Sequence, residues 1–150
     1  IAGWGAVAGI CDGPNIMGGT VVGILLVTHN SLGDSFLDCV KHVLGEVPQN
    51  LKSLSVSAGD DPQQKSVEAQ ALIKRLDTGS GVLILSDVFG ATPSNIARQL
   101  CRGERVMGVA GVNLPMLLRV ACYPTTTLPE LAKVAVEGGR GCITYINPEN

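Results

Sequence analysis

Apolar runs alternate with helical periodicities along most of the chain. Residues 21–27 are almost all apolar, which is typical of a parallel strand covered on both faces. Behind this run, apolar side chains recur at helical spacing within residues 36–44, and Gly45 is placed to close that helix. Ser31 and Asp34 predict a capping box at its start. The first part of the chain is therefore predicted to be a strand followed by a helix.

The same alternation continues to the end of the sequence. Leu54 and Val56 indicate a shorter second strand, and Asp61 with Pro62 marks the N-cap and first turn of a helix whose apolar stripe ends at Leu76. The later predicted elements are a strand at 82–85, a helix beginning at Thr92-Pro93, a strand at 106–109, a short helix after Pro115, a helix from about Pro129 to Gly138-Gly139, and a final short strand at Cys142–Ile146.

Strands that alternate with helices predict an α/β fold with a doubly wound, mainly parallel sheet and right-handed crossovers. In a flavodoxin-like strand order the ends of the first and third strands lie side by side, so His29 and Asp87 would share one crevice. We expect residues 21–150 to form one domain. Residues 1–20 show no periodic pattern and are expected to be a poorly structured extension, with Met17 a candidate natural start.

Composition narrows the possible functions. A net charge of −2 with scattered Lys and Arg, and only 3% aromatic residues, argues against nucleic-acid binding. The uncharged stretch at 13–28 is too short and too rich in glycine to span a membrane. Five cysteines without a C-x-x-C pair predict reduced, mostly buried thiols in a cytoplasmic protein, and no metal site. No Walker A or G-x-G-x-x-G motif is present, so we expect no nucleotide cofactor.

His29 and Asp87 are the candidate catalytic residues. His29 directly follows the first apolar strand, at the sheet edge where ligands collect in α/β folds, and imidazole is a nucleophile near neutral pH. Asp87 can accept a hydrogen bond from one ring nitrogen and leave the other free to attack phosphorus. Each residue alone also fits a structural role, a strand-end histidine bonded to a loop or an aspartate capping its own turn.

The loop formed by Gly90, Ala91 and Thr92 is the candidate phosphoryl-binding site. Its small residues allow backbone N–H groups to approach an anion closely, and the positive end of the following helix dipole faces the loop. Thr92 is predicted as the N-cap and Pro93 suits the first turn. An ordinary capped helix start is the structural alternative. Together with His29 and Asp87, the loop supplies an anion cradle beside a nucleophile and the group that orients it.

Three segments carry a resemblance to a known family. They are 23–29 (GILLVTH), 83–95 (LILSDVFGATPSN) and 110–117 (AGVNLPML). In this order and approximate spacing they resemble the mannose-type enzyme IIA domain of the bacterial sugar phosphotransferase system. The resemblance covers about residues 21–146.

The resemblance implies specific roles and partners. It implies that Nε2 of His29 accepts a phosphoryl group from phospho-HPr and passes it to a sugar-specific IIB component in trans. Asp87 would hold the other nitrogen, and Gly90, Ala91 and Thr92 would cradle the phosphoryl group. No metal or cofactor is implied.

The resemblance also implies a homodimer in which the last strand, here Cys142–Ile146, is exchanged between subunits. This sequence departs from the family's pattern at three places. Asn30 stands where the family commonly has Gly, Phe89 where some members have Trp, and Ala91-Thr92 where a Gly-Ser pair is common. Thr92 keeps a hydroxyl and Ala91 keeps its N–H, so the donor chemistry is retained.

Three other interpretations remain open. The chain is alternatively a regulatory phosphoprotein of an incomplete phosphotransferase system, with no sugar transport of its own. A two-component receiver domain would need an acidic pair after the first strand, whereas residues 28–30 are Thr-His-Asn. The related phosphotransfer subunit of dihydroxyacetone kinase matches segment 111–117 less well. The sequence does not disclose a sugar.

Overall fold

The computed structural model describes residues 21–103, 105–123 and 126–149. The predicted N-terminal extension at 1–20 lies outside these residues. In chain order the elements are β1 (Gly23–His29), α1 (Leu32–Leu44), β2 (Leu51–Val56), α2 (Pro62–Leu76), β3 (Val82–Ser86), α3 (Thr92–Leu100), β4 (Val106–Ala110), α4 (Leu114–Ala121) and α5 (Leu128–Gly141).

The strands form a parallel sheet in the order β2-β1-β3-β4. This confirms the predicted doubly wound sheet with the first and third strands adjacent. His29 lies opposite Val56 of β2, and Val27 lies opposite Ser86 of β3. The carboxyl ends of β1 and β3 therefore meet at one edge, at the point where the chain changes direction across the sheet.

Helices cover both faces of the sheet. Ile24 and Leu26 pack in a core with side chains of α1, α4 and α5, whereas Leu25 and Val27 pack with side chains of α2 and α3. Because successive strand residues point to opposite faces, His29 continues the row of Leu25 and Val27. The candidate nucleophile is thus on the face of the sheet that carries α3.

Two of the three predicted N-terminal capping interactions differ from the structure. Asp61 is the N-cap of α2, and its side chain accepts a hydrogen bond from the Gln63 N–H at 3.0 Å, as predicted. Ser31 stands at the N-cap of α1 but makes no capping hydrogen bond, so the predicted capping box is wrong. Thr92 is not an N-cap, because Ala91 occupies that position and Thr92 begins the helix.

The last helix extends past the glycine pair that was predicted to end it. An added Cβ would lie 2.6 Å from Cδ of Arg119 at Gly138 and 2.8 Å from Cε of Met116 at Gly139. These glycines therefore allow α5 to approach α4 closely. They do not end the helix, which continues to Gly141.

The predicted final strand is wrong for this single chain. Residues 142–149 form no strand, and Ile143 and Ile146 are 76% and 100% exposed. A strand requires a neighbouring strand for its N–H and C=O groups. Within the described chain this segment lies against no such neighbour.

The cysteines only partly match their prediction. Cys39, Cys101 and Cys142 carry free thiols, but Cys39 and Cys142 are exposed. Cys122 is disulfide-bonded, so the expectation of reduced thiols fails there. Among the helices described, none is both long and apolar enough to cross a membrane.

Candidate active site

His29 and Asp87 are in direct contact at the carboxyl edge of the sheet. The Oδ2 atom of Asp87 lies 2.7 Å from Nδ1 of His29 and accepts the His29 backbone N–H at 3.0 Å. Its Oδ1 atom accepts the backbone N–H of Val88 at 2.9 Å. The parallel pairing of β1 with β3 creates this contact between residues that are 58 positions apart in sequence.

The environments of the two side chains differ. The His29 side chain is 44% exposed and that of Asp87 is 8% exposed. Burial raises the pKa of the Asp87 carboxyl, but the hydrogen bonds from His29 and Val88 outweigh it and leave that pKa below its ordinary value. An ionised carboxylate only accepts hydrogen bonds, so Nδ1 must be the donor and Nε2 carries the lone pair in the neutral ring.

Asn30 shapes the turn that follows His29. It has a φ of +50°, and no other non-glycine residue of the described chain has a positive φ. Its N–H donates to the carbonyl of Val56 at 2.9 Å. Asparagine tolerates the left-handed region better than most residues, which accounts for a residue other than glycine at this position.

The loop after Asp87 is closed on itself. Gly90 has a φ of +90°, and its N–H donates to Oγ of Ser94 at 3.2 Å. The N–H of Ala91 makes a long contact with the carbonyl of Val88 at 3.5 Å. Thr92 is exposed, and the N–H groups of Thr92 and Ser94 make no backbone hydrogen bond within the part of the chain that the structure describes. Open donors are therefore present at the start of α3.

Ser94 is a feature that sequence reasoning missed. It is 6% exposed and holds the loop through the Gly90 N–H. In the sequence it is one polar residue among several in the first turn of a helix, and nothing separates it from an exposed serine. Its position becomes visible only when α3 is packed on the sheet.

Apolar side chains surround the His29 edge. Leu32 at the start of α1 is 40% exposed, and Val88 and Phe89, which follow Asp87, are 56% and 76% exposed. In contrast, His42 lies in the last turn of α1, toward the opposite edge of the sheet. Of the two histidines, only His29 contacts a carboxylate within the described residues.

The metal-ligating residue types are not clustered. Across residues 21–103, 105–123 and 126–149, no group of three or more His, Cys, Asp or Glu is arranged to hold a metal ion. The contact of His29 with Asp87 is a pair. The arrangement is instead a half-exposed imidazole oriented by a buried carboxylate, next to the amide groups of a helix N-terminus.

The chain is an α/β protein with a histidine and an aspartate in contact at the carboxyl edge of its sheet, and its sequence matches one protein family. The family described as EIIA-man, PTS system fructose IIA component, matches residues 23–135. The chain belongs to this family of enzyme IIA components of the sugar phosphotransferase system, so the resemblance seen in the sequence is confirmed.

Relatives of known name agree with this assignment. The chain is 32% identical over 122 residues to the PTS system mannose-specific EIIAB component of Escherichia coli (strain K12), covering 79% of this chain and 38% of that protein. It is 33% identical over 99 residues to the PTS system sorbose-specific EIIA component of Lacticaseibacillus casei, covering 65% of this chain and 70% of that protein. The chain thus spans well under half of the mannose-specific relative.

A solved structure shows the same fold. The mannose/sorbose specific IIA subunit of the phosphotransferase system from Enterococcus faecalis superposes with a TM-score of 0.76 at 25% sequence identity. The match covers 85% of this chain and 96% of that subunit. The solved structure therefore agrees with the assignment of this chain to the enzyme IIA family.

Proposed function

We propose that this chain is a histidine phosphocarrier that accepts a phosphoryl group from phospho-HPr on His29 and passes it to a IIB component for sugar uptake. The observation that carries the proposal is the 2.7 Å contact between Nδ1 of His29 and the buried carboxylate of Asp87. This contact favours the tautomer whose Nε2 is an open nucleophile on a half-exposed ring.

The chemistry is an exchange of one P–N bond for another. The Nε2 lone pair attacks phosphorus, and the P–N bond of the donor phosphohistidine breaks with its electron pair returning to the donor ring. Asp87 keeps its hydrogen bond to Nδ1 and stabilises the positive character that develops on the acceptor ring. Transfer to the IIB component repeats the step with His29 as donor. No metal or cofactor takes part.

The loop before α3 is proposed to hold the phosphoryl oxygens. The backbone N–H groups of Gly90, Ala91 and Thr92, with the Thr92 hydroxyl, would act as donors, and the positive end of the α3 dipole favours the negative charge. The exposed Thr92 supports this role. The Gly90 N–H must first leave Ser94, to which it donates in this structure.

Docking is proposed to use the apolar rim of Leu32, Val88 and Phe89. These side chains are 40%, 56% and 76% exposed around the His29 edge. Apolar anchors desolvate the site and bring two phosphohistidine carriers together without relying on charge attraction. The same rim would then serve phospho-HPr and the IIB component in turn.

Labelling tests the assignment. Incubation with phosphoenolpyruvate, enzyme I and HPr should add one acid-labile phosphate to the wild-type chain and none to His29→Ala. His42→Ala is the matched control, because it removes the exposed histidine of the last turn of α1 and should label fully. Full labelling of His29→Ala would refute the proposal.

The regulatory alternative uses the same phosphorylation with a different output. In that case the phosphorylated chain would pass its group to no IIB component and would change its binding to another protein. The transport role and the regulatory role are distinguished by mixing the labelled chain with candidate IIB components. Loss of label to a IIB histidine supports transport, and a label that persists with every such acceptor supports the regulatory role.

A homodimer is part of the proposal. β4 is one of the two outer strands of the described sheet, and Ile143 and Ile146 project into solvent from the segment after α5. Pairing of Cys142–Ile146 with the open edge of a second copy would satisfy both features. Sedimentation should show that the wild type is a dimer and that the double variant Ile143→Asp, Ile146→Asp is a monomer. The control variant Val67→Asp, which changes an exposed residue of α2, should remain a dimer. A monomeric wild type would contradict the proposed homodimer.

The proposal places the protein in the cytoplasm, where its phosphoryl donor is generated. Fractionation of the native cell would test this, and recovery in the membrane or the medium would oppose it.

A further inference from the structure

A small cleft lies directly behind the loop that joins β3 to α3. Its volume is about 150 Å³, and its lining includes Ser86, Phe89 and Ser94. The two serines are almost fully buried, with 2% of Ser86 and 6% of Ser94 exposed. Ser86 belongs to the row of β3 residues that faces α3, since Val82 and Ile84 of that row pack in the core beneath α2 and α3.

The two hydroxyls differ in their hydrogen bonding. Oγ of Ser94 accepts the Gly90 N–H at 3.2 Å. Oγ of Ser86 has no hydrogen-bond partner within the part of the chain that is described. A buried hydroxyl without a partner destabilises the state in which it occurs. The unphosphorylated form therefore contains one satisfied serine and one unsatisfied serine in the same cleft.

The Gly90 N–H is the link between this cleft and the phosphoryl site. It is one of the donors assigned to the phosphoryl group, and it cannot make two well-aligned hydrogen bonds at once. When it turns toward a phosphoryl oxygen, Oγ of Ser94 loses its donor. Ser86 lines the same cleft and carries a buried O–H without a partner among the described residues.

We propose that phosphorylation of His29 moves the Gly90 N–H from Ser94 to the phosphoryl group, and that Ser94 then accepts the O–H of Ser86. The inference rests on the phosphocarrier function proposed above. Ser94 holds the loop closed in the unphosphorylated form, and the hydrogen bond from Ser86 to Ser94 stabilises the open loop. Both are positioning residues, and the hydrogen bond between them is gained only in the phosphorylated form.

A double-mutant cycle tests the exchange. The measured quantity is the equilibrium constant for phosphoryl transfer from phospho-HPr to the full chain. Ser86→Ala should lower it about fivefold, the worth of one buried hydrogen bond, because only the phosphorylated form gains from Ser86. Ser94→Ala removes one hydrogen bond from each form and should leave the constant close to wild type.

The decisive comparison is between the effect of Ser86→Ala in the wild type and its effect in the Ser94→Ala background. In the Ser94→Ala background, Ser86→Ala should have no further effect, because its partner is gone. Ser86→Thr keeps the hydroxyl and should restore the wild-type constant. Ser66→Ala, a half-buried serine of α2 outside the cleft, is the control and should change nothing. An equal fivefold loss from Ser86→Ala in both backgrounds would overturn the exchange and leave a purely structural role.

The Gly90 amide gives an independent readout. Its NMR signal should shift on phosphorylation of the wild type, and in unphosphorylated Ser94→Ala it should exchange with solvent about fivefold faster than in the wild type. A signal that stays in place on phosphorylation would overturn the inference while the phosphocarrier function stands. Failure of the wild type to accept phosphate at all would overturn both.

Discussion

Replacing Asp87 by Asn removes the charge that orients the nucleophile while keeping the size of the side chain. The carboxylate accepts three hydrogen bonds, two from His29 and one from Val88. An amide has one oxygen and one NH2 group, so it cannot accept on both sides. With its oxygen toward His29, the NH2 group meets the Val88 N–H. With its NH2 group toward Nδ1, it moves the ring proton to Nε2 and blocks attack.

The size of the effect follows from the lost charge-assisted contact. A hydrogen bond to a charged group contributes about 1.5 to 3 kcal/mol, and the developing positive charge on the ring strengthens it in the transition state. A loss of about 2 to 3 kcal/mol corresponds to a rate lower by roughly 30- to 150-fold. The buried position of Asp87, 8% exposed, places the effect toward the upper end.

The assay is single-turnover transfer from phospho-HPr, quenched at short times. Asp34→Asn is the matched control, because Asp34 is an exposed carboxylate in the first turn of α1 and should transfer at the wild-type rate. Thermal unfolding should show that Asp87→Asn remains folded. A folded Asp87→Asn variant whose rate lies within about threefold of wild type would refute the orienting role.

Three further predictions concern stability. The pKa of Asp87 is lowered in the fold, so the ionised carboxylate should stabilise the protein fully above the ordinary carboxyl value of 3.8 and lose this effect as the pH falls through the folded value. Urea titrations of wild type and Asp87→Asn should therefore show that their difference in free energy of unfolding shrinks below that pH. A difference that grows would contradict the prediction. Asn30→Val places a β-branched residue at a φ of +50° and should cost about 1 to 2 kcal/mol, while Asn30→Gly should match wild type in the same titration; equal stabilities would contradict the strain. Gly81→Ala would bring a Cβ within 2.6 Å of the Arg105 carbonyl at a φ of +83° and should cost roughly 1 to 3 kcal/mol, whereas Gly59→Ala meets no atom within 4 Å and should change the melting temperature little; similar melting temperatures for the two variants would show that the site relaxes.

The local pattern alone determined most of the fold. Residues 21–27 and 82–85 are short, nearly continuous apolar runs, which are typical of strands covered on both faces, and such strands belong to a parallel sheet. The sequence signal at Asp61-Pro62 was equally local, since an N-cap bonds within its own turn. The contact between His29 and Asp87 could be expected because two neighbouring parallel strands end at the same edge.

Features that depend on a neighbour could not be predicted from the chain itself. Gly138 and Gly139 looked like a helix end, and only the packing of α4 reveals that they make room for Arg119 and Met116. Cys142–Ile146 has the composition of a strand but lies against no strand among the residues that the structure describes. Its conformation is decided by whichever edge it meets.

The direction of a hydrogen bond is the finest detail that needed the tertiary structure. A glycine-rich loop before a helix indicates donors for an anion, yet the Gly90 N–H points at Ser94. Which acceptor wins depends on whether Ser94 is buried and on what else shares its cleft. The sequence determined the chemical groups at the sheet edge, and the packing of α3 against β3 and β4 decided which of them are paired, because burial makes an unpaired polar group costly.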